Sequence, residues 1–440
     1  MVTADDSNDI VRKLNRKTAV ICVIGLGQVG IPTALSFLKL GYKVIGFDIN
    51  IKLIRNLKEG LNPLPEQGFK DLVNRFIDIN LFSLSHHPDV LSSADVIIVC
   101  VPTPLDNTSF TADMKFMQSA LESVAKYLTT VKLIIIESTI PPGSMKSYII
   151  PLVERLSNKK AYVDFYISFC PERFSPGNAL QEFIENDRII GANDDQSYEC
   201  TVNLFKKVTN GKIHRTDTTT AEISKLAENS YRDVNIAFAN ELAIICGDSK
   251  VDVQDVIRLA NTHPRVKILK PGPGVGGPCL PKDPYLLVMR KNFEKSIVRA
   301  ARRLNDSMPY HIVDILISTM QLIRKNKKYF NILILGVSYK PDVNDTRYSP
   351  AQTMVIALKK EGFRNIILHD PYSNESFGAK FSSELSNDLG KADCVIISTG
   401  HSLYSNLTPI DFKKGCIIVD AVRVLRKEDF LGDRLTYIGL

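Results

Sequence analysis

Between Gly272 and Asp283 the chain reads Gly-Pro-Gly-Val-Gly-Gly-Pro-Cys-Leu-Pro-Lys-Asp, which places one thiol, Cys279, in a glycine-rich turn with Lys282 and Asp283 close behind. Such a turn lets backbone approach a ligand and keeps a sulfur accessible, as covalent catalysis requires. The same residues suit a packed thiol used as a small hydrophobe, and the loop alone does not decide between the two. Two more polar side chains bear on the choice. Lys225 and Asn229 lie four apart in the stretch from about Thr219 to Asp248, which has no Pro and no Gly before Gly247, so on one long helix they share a face. A lysine on a helix is ordinarily solvated, and it matters chemically only if the fold carries it to a reacting oxygen.

These residues need elements to hold them. Ala19–Ile24 is rich in β-formers, Gly25-Leu26-Gly27-Gln28-Val29-Gly30 is a turn, Pro32–Leu40 has helical character, and Tyr42–Phe47 is a second strand ending at Asp48. A Gly-x-Gly-x-x-Gly turn is weak evidence by itself. Here it follows a strand, opens a helix, and has an acid 18 positions beyond its last glycine. Gly25 makes the turn, Gly27 admits a pyrophosphate, and Gly30 permits helix packing, with Gln28 and Val29 at the helix N-terminus. Asp48 is expected to accept a ribose 2′-hydroxyl, which favours NAD over NADP. Further strands at Val96–Val101 and Leu133–Glu137 end in loops carrying Thr103 and Thr139, either as cofactor-cleft residues or as ordinary turn residues.

A second α/β region begins at Phe330. It has a strand at Ile332–Leu335, a polar loop Gly336–Tyr348, a helix from Ser349-Pro350 to Lys360, and a strand Asn365–His369 ending in Asp370. Ala392-Asp393-Cys394-Val395-Ile396-Ile397 echoes Ala94-Asp95-Val96-Ile97-Ile98-Val99, so the chain reads as two related α/β halves. The second half lacks the full glycine fingerprint and is expected to hold a different ligand.

Composition narrows the class. A chain of 440 residues, 44% hydrophobic and 23% charged, has room for two or three domains. The net charge of +7 is dispersed, without the basic tracts and interleaved aromatics of a nucleic-acid surface. Eight cysteines with no Cys-x-x-Cys read as reduced thiols rather than a disulfide framework or a metal site. Met1–Lys17 is polar, and no apolar run approaches the roughly 20 residues of a membrane span, so a cytoplasmic enzyme is expected.

The glycine turn, Cys170-Pro171-Glu172-Arg173, Lys225 with Asn229, the Cys279 loop, and Gly336-Val337-Ser338-Tyr339-Lys340-Pro341 with Asp345-Thr346-Arg347 occur in a specific order. Together they resemble the UDP-glucose/GDP-mannose dehydrogenase family over nearly the whole chain, from about Thr18 onward. The resemblance implies an N-terminal extension (1–17) and an NAD-binding Rossmann-like domain (18–213). It implies also a central helical dimerisation domain bearing the cysteine loop (214–325) and a C-terminal UDP-sugar-binding Rossmann-like domain (326–440). The implied reaction is a four-electron oxidation of a sugar C6 alcohol to a carboxylate with two NAD, through a thiohemiacetal and a thioester on Cys279. By the same resemblance Lys225 and Asn229 stabilise the reacting oxygen, Asp283 joins Lys225 in proton transfer, and Glu172 serves thioester hydrolysis with Thr139 holding the water. Arg173, Arg265, Gly276, Lys340 and Arg423 are implied in nucleotide-sugar binding, and Arg347 in cofactor or subunit contact. A homodimer or dimer-based oligomer is implied as well.

The sequence around Glu172, His263-Pro264-Arg265-Val266 and the cysteine loop looks more like the UDP-N-acetylhexosamine branch than the UDP-glucose branch. The expected order of substrates is UDP-N-acetylmannosamine, UDP-N-acetylglucosamine, then UDP-glucose. A two-electron 3-hydroxyacid-type dehydrogenase and a non-catalytic UDP-sugar and NAD binder are the competing readings.

Overall fold

The computed structural model describes residues 4–61, 68–106, 109–130, 132–175, 177–289, 295–323, 327–432 and 434–440. It divides into two compact units, Met1–Ala227 and Glu228–Leu440, with the division falling inside the helix Thr218–Asp248. The expected boundary at 325/326 lies outside the described residues.

The first unit is built on eight strands: β1 (Val20–Ile24), β2 (Lys43–Phe47), β3 (Phe82–Ser85), β4 (Val96–Val99), β5 (Leu133–Ile136), β6 (Tyr166–Phe169), β7 (Arg188–Gly191) and β8 (Ile213–Thr216). Their order is β3-β2-β1-β4-β5-β6-β7-β8, parallel throughout except between β6 and β7. Runs such as Val-Ile-Ile-Val and Leu-Ile-Ile-Ile are buried on both faces, as a sheet covered by helices on each side demands. Cys100, Val101 and Glu137, expected to end strands, lie just past them; Pro102 cannot donate to a ladder, and Glu137 instead turns its side chain into the packing beneath.

The second unit repeats this plan with β9 (Asn331–Leu335), β10 (Asn365–His369), β11 (Lys380–Phe381), β12 (Cys394–Ile397), β13 (Ile417–Asp420) and β14 (Thr436–Gly439) in the order β11-β10-β9-β12-β13-β14. That matches the first six strands of the first sheet position for position. The Ala-Asp echo has a structural use in both copies. Asp95 Oδ2 accepts the Val20 N–H at 2.9 Å and its Oδ1 meets Lys13 Nζ at 2.8 Å, while Asp393 Oδ2 accepts the Asn331 N–H at 3.0 Å and its Oδ1 meets Lys413 Nζ at 2.8 Å.

Lys13 belongs to a helix, Ala4–Arg16, for which the polar N-terminal sequence gave little warning. Its Ile10 and Leu14 enter the core of the first unit, which is enough to dock one face of an otherwise charged helix. The long helix Thr218–Asp248 has 31 residues, and Ile297–Ile323 has 27. In the second unit these two helices are joined by a buried polar cluster: Arg302 pairs with Asp233 at 2.6 Å, Asn305 Nδ2 donates to Asp233 Oδ1 at 2.9 Å, and Asn240 Nδ2 donates to Asn305 Oδ1 at 2.9 Å. Removing one member of such a cluster costs about 3–5 kcal/mol, because it strands a buried charge. Among the described residues, no helix is long and apolar enough to cross a membrane.

Candidate active site

In the first unit the three fingerprint glycines divide their work. Gly25 has φ +88° and its N–H donates to the Phe47 carbonyl at 2.8 Å; a Cβ there would lie 2.7 Å from the Cys100 carbonyl oxygen. A Cβ at Gly30, the first residue of the helix Gly30–Lys39, would sit 1.8 Å from the Gly25 carbonyl oxygen. At Gly27 a Cβ would meet nothing within 4 Å. Two glycines are therefore consumed by packing, and the middle one faces open space at a helix N-terminus, where a pyrophosphate fits. Gln28 and Val29 complete the turn, half-buried. Asp48, just beyond β2, accepts the Leu26 N–H on Oδ2 and the Asn50 N–H on Oδ1, both at 2.8 Å, and stays partly exposed. Thr103 donates its hydroxyl to the Thr139 carbonyl at 2.6 Å, so it braces the loop that carries Thr139.

Glu172 follows β6 and accepts the Phe174 N–H. Burial raises its carboxyl to about 7, against the opposing charge of Lys225; Glu137 adds to the rise and Arg188 offsets it. Lys225 itself is buried. Arg173 is tied to the Asp187 carbonyl at 2.7 Å. Glu137 is a residue the sequence did not single out. Fully inside the unit, it accepts from Thr33 Oγ1 at 2.9 Å and Cys100 Sγ at 3.2 Å.

In the second unit, the cysteine loop is fastened at both ends. The Gly272 N–H donates to Asn240 Oδ1 at 2.8 Å, which anchors the loop to the buried polar cluster, and the Gly277 N–H donates to the Arg347 carbonyl at 2.9 Å. Gly276 and Gly277 lie so close to Tyr339 that a Cβ on either would come within 2.7 Å of it. The carbonyl of Cys279 then accepts the N–H groups of Lys282 and Asp283 at 2.9 and 2.8 Å, forming the turn that starts a short helix at Asp283. Cys279 is exposed, whereas the other seven cysteines are buried. Asp283 is fully buried and accepts from Asn229 Nδ2 at 2.6 Å. Lys225 sits one turn before Asn229 on the same helix. Arg347 forms a two-point pair with Asp345, Nε to Oδ1 at 2.9 Å and Nη2 to Oδ2 at 2.6 Å.

A cavity of about 380 Å³ opens in the same unit, at the carboxyl ends of β9, β12 and β13. Gly272, Ser338, Tyr339, Ser398, Thr399 and Arg423 are among its walls. Among the described residues, the buried hydroxyls of Ser338 and Ser398 have no hydrogen-bond partner there, as polar groups awaiting a ligand would. Arg423, in a left-handed conformation at φ +52°, is held by the Leu440 carbonyl at 2.7 Å and by Asp252 at 3.1 Å. Lys340 and Arg265 are exposed.

A parallel sheet with an open-glycine turn in one unit, and a repeat of that sheet with a separate polar cavity in the other, define an NAD-dependent dehydrogenase with two nucleotide-binding folds. Three family models match in order: the UDP-glucose/GDP-mannose dehydrogenase NAD-binding domain over residues 19–209, the central domain over 219–307, and the UDP-binding domain over 333–427. The chain belongs to the UDP-glucose/GDP-mannose dehydrogenase family. It is 41% identical over 416 residues to a UDP-N-acetyl-D-mannosamine dehydrogenase of Methanocaldococcus jannaschii, covering 93% of each chain. Its structure resembles that of a UDP-D-ManNAc dehydrogenase from Pyrococcus horikoshii, with a TM-score of 0.89 and 34% identity over 95% of this chain and 99% of that one. A UDP-glucose dehydrogenase from Pyrobaculum islandicum superposes almost as well, with a TM-score of 0.87, at 25% identity over 96% of this chain and 97% of that one. The fold is thus shared by enzymes named for different sugars.

Proposed function

We propose that this chain oxidises C6 of UDP-N-acetyl-D-mannosamine to the carboxylate, using two NAD and one water. The observation that carries the reading is the one exposed thiol, Cys279, four residues from a buried aspartate that is hydrogen-bonded to the helix bearing Lys225. The greater identity to mannosamine dehydrogenases than to the glucose enzyme of the same fold supports the choice of sugar.

NAD, held by Gly25, Gly27, Gln28, Val29, Gly30 and Asp48, supplies the hydride acceptor. Lys225, with Asn229, stabilises negative charge on O6 as the alcohol loses its proton. The Cys279 thiolate adds to the aldehyde carbon, so the intermediate stays attached as a thiohemiacetal, and loss of a second hydride leaves a thioester. Glu172, with a carboxyl near 7, takes a proton from the water positioned by Thr139, and hydrolysis returns the thiol and the free carboxylate. Asp283 shares the protons of Lys225. Arg173, Arg265, Gly276, Lys340 and Arg423 serve the nucleotide sugar, while Arg347 and Thr103 support the cofactor side. The enzyme works as a homodimer or larger even assembly in the cytoplasm, supplying a uronate for polysaccharide synthesis. Support for association comes from Tyr231, Phe238 and Ile245, seven residues apart on one helix and 68%, 47% and 53% exposed.

The test is a panel of UDP-sugars read by NADH formation. UDP-N-acetylmannosamine should give the highest kcat/KM, with two NADH per sugar consumed. A single NADH per turnover would overturn the covalent scheme, and preference for another sugar would overturn the substrate.

A further inference from the structure

The two sheets of this chain place an aspartate at the same topological position, Asp48 after β2 and Asp370 after β10. Both hold the turn beside them. Asp48 Oδ2 accepts the Leu26 N–H, and Asp370 Oδ2 accepts the Val337 and Ser338 N–H groups at 2.8 and 3.0 Å. Both also hold their own following loop through Oδ1, Asp48 with Asn50 and Asp370 with Tyr372 and Ser373. They part in what reaches them next. Asp48 remains partly open, whereas Asp370 is 6% exposed and its Oδ2 takes a further bond from His401 Nε2 at 2.9 Å.

His401 is fully buried. Its Nδ1 accepts the Asp342 N–H at 2.9 Å, so the ring is the neutral tautomer with its proton on Nε2. Asp342, at φ +57°, completes a small ring of bonds by accepting the Ser402 N–H and hydroxyl on Oδ1, each at 3.0 Å. The imidazole therefore takes up the carboxylate that a ribose hydroxyl would need, and ties it to the Gly336–Tyr348 loop. That loop supplies Ser338, Tyr339 and Pro341 to the cavity wall and sets Tyr339 against Gly276 and Gly277 of the cysteine loop.

We propose that His401 is a positioning residue that closes the second glycine-turn crevice to a dinucleotide and fixes the loop forming one wall of the nucleotide-sugar pocket. The proposal rests on the reading of that cavity as the UDP-sugar site. Apart from Asp370 and Asp342, the groups facing the ring are the aromatic rings of Tyr372 and Tyr404, at 5.3 and 5.5 Å between centroids, and His369, which bonds Tyr404.

Calorimetric titration of the full chain with UDP and with NAD tests it. The wild type should bind one NAD and one UDP per chain. His401→Ala should weaken UDP binding at least tenfold with NAD affinity within twofold, and raise KM for the UDP-sugar much more than it lowers kcat. His401→Asn, which can still accept from the Asp342 N–H, should recover most of the UDP affinity, while His401→Gln, which keeps the donor to Asp370 but not that acceptor, should recover less. If His401→Ala does not fold, the Asn and Gln pair carries the same comparison. Two NAD per wild-type chain, unchanged UDP affinity in the variants, or equal losses for UDP and NAD would each overturn the proposal. A wild type that binds NAD but no UDP would instead overturn the reading of the cavity.

Discussion

Asn229 donates to one oxygen of Asp283 at 2.6 Å, and the other, Oδ1, is buried 3.7 Å from Lys282 Nζ with no hydrogen-bond partner among the described residues. A carboxylate with one oxygen anchored by a hydrogen bond and the other facing only the Lys282 charge is oriented, and keeps one oxygen on which to take a proton. Asp283→Asn should keep the bond geometry but lower kcat by about 10²–10⁴-fold. Asn229→Ala should lower kcat and also destabilise the chain by about 1–3 kcal/mol, because a buried carboxylate loses its partner. Initial rates of NADH formation and thermal melts separate the two effects.

The seven buried cysteines predict selective chemistry. Desolvation pushes Cys22, Cys170 and Cys200 each up to about 12, so they are poor nucleophiles at neutral pH. Native protein treated with iodoacetamide should take up one label, on Cys279, and lose activity in step with it. Denatured protein should take up eight, the full cysteine count. Cys279→Ser should be unlabelled when native and slower by several orders of magnitude. Retained activity in that variant would favour a two-electron dehydrogenase that uses no thiol.

Glu172 gives a pH prediction of definite sign. Its carboxyl titrates at about 7 in the folded chain and at 4.5 when unperturbed, so the folded state holds its proton more tightly. This contribution to stability is full below about pH 4.5 and is lost as pH rises towards 7, by at most about 3 kcal/mol and less for a partly exposed group. Glu172→Gln should therefore melt higher than wild type at pH 8 and close to it at pH 4.5. Thioester hydrolysis in the wild type should rise with pH through about 7. Lys225→Met removes the charge that favours the ionised form and should move that rise to higher pH, as read by single-turnover kinetics.

The fingerprint glycines should fail in different ways. Gly30→Ala puts a methyl into the Gly25 carbonyl and should destabilise the first unit by about 1–3 kcal/mol or more. Gly27→Ala meets no protein atom, so its melting temperature should match wild type while KM for NAD rises about tenfold. A Gly27→Ala enzyme with unchanged KM would mean that NAD lies elsewhere.

Local patterns made the frame of this molecule legible. β-Branched runs and glycine turns marked β1, β2, β4, β5, β9 and β10 to within a few residues, and the uninterrupted stretch before Gly247 marked the long helix. Such signals live within a dozen residues of one another. The parts that stayed hidden depend on pairs far apart in the chain. Arg302 meets Asp233 across 69 residues, and Arg423 meets Asp252 across 171, so nothing near either arginine announces its partner. Arg423 was expected to face UDP, and it does line the cavity, but two of its bonds are structural. His401 and Glu137 carried no motif at all. Their importance follows from the bonds they make, His401 with Asp370, and Glu137 with Thr33 and Cys100.

The paired aspartates Asp95 and Asp393 have a consequence for how such a chain diverges. Each clasps its sheet at the amino ends of the strands, binding the first residue of the neighbouring central strand and a lysine. The open-glycine turn after β1 and the cavity past β9, β12 and β13 lie at the opposite rim. A duplicated frame clasped at one rim tolerates drift at the other, because changes in the loops leave the clasp untouched. One copy could keep an open aspartate and the other could internalise its counterpart, and both would still fold by the same rule.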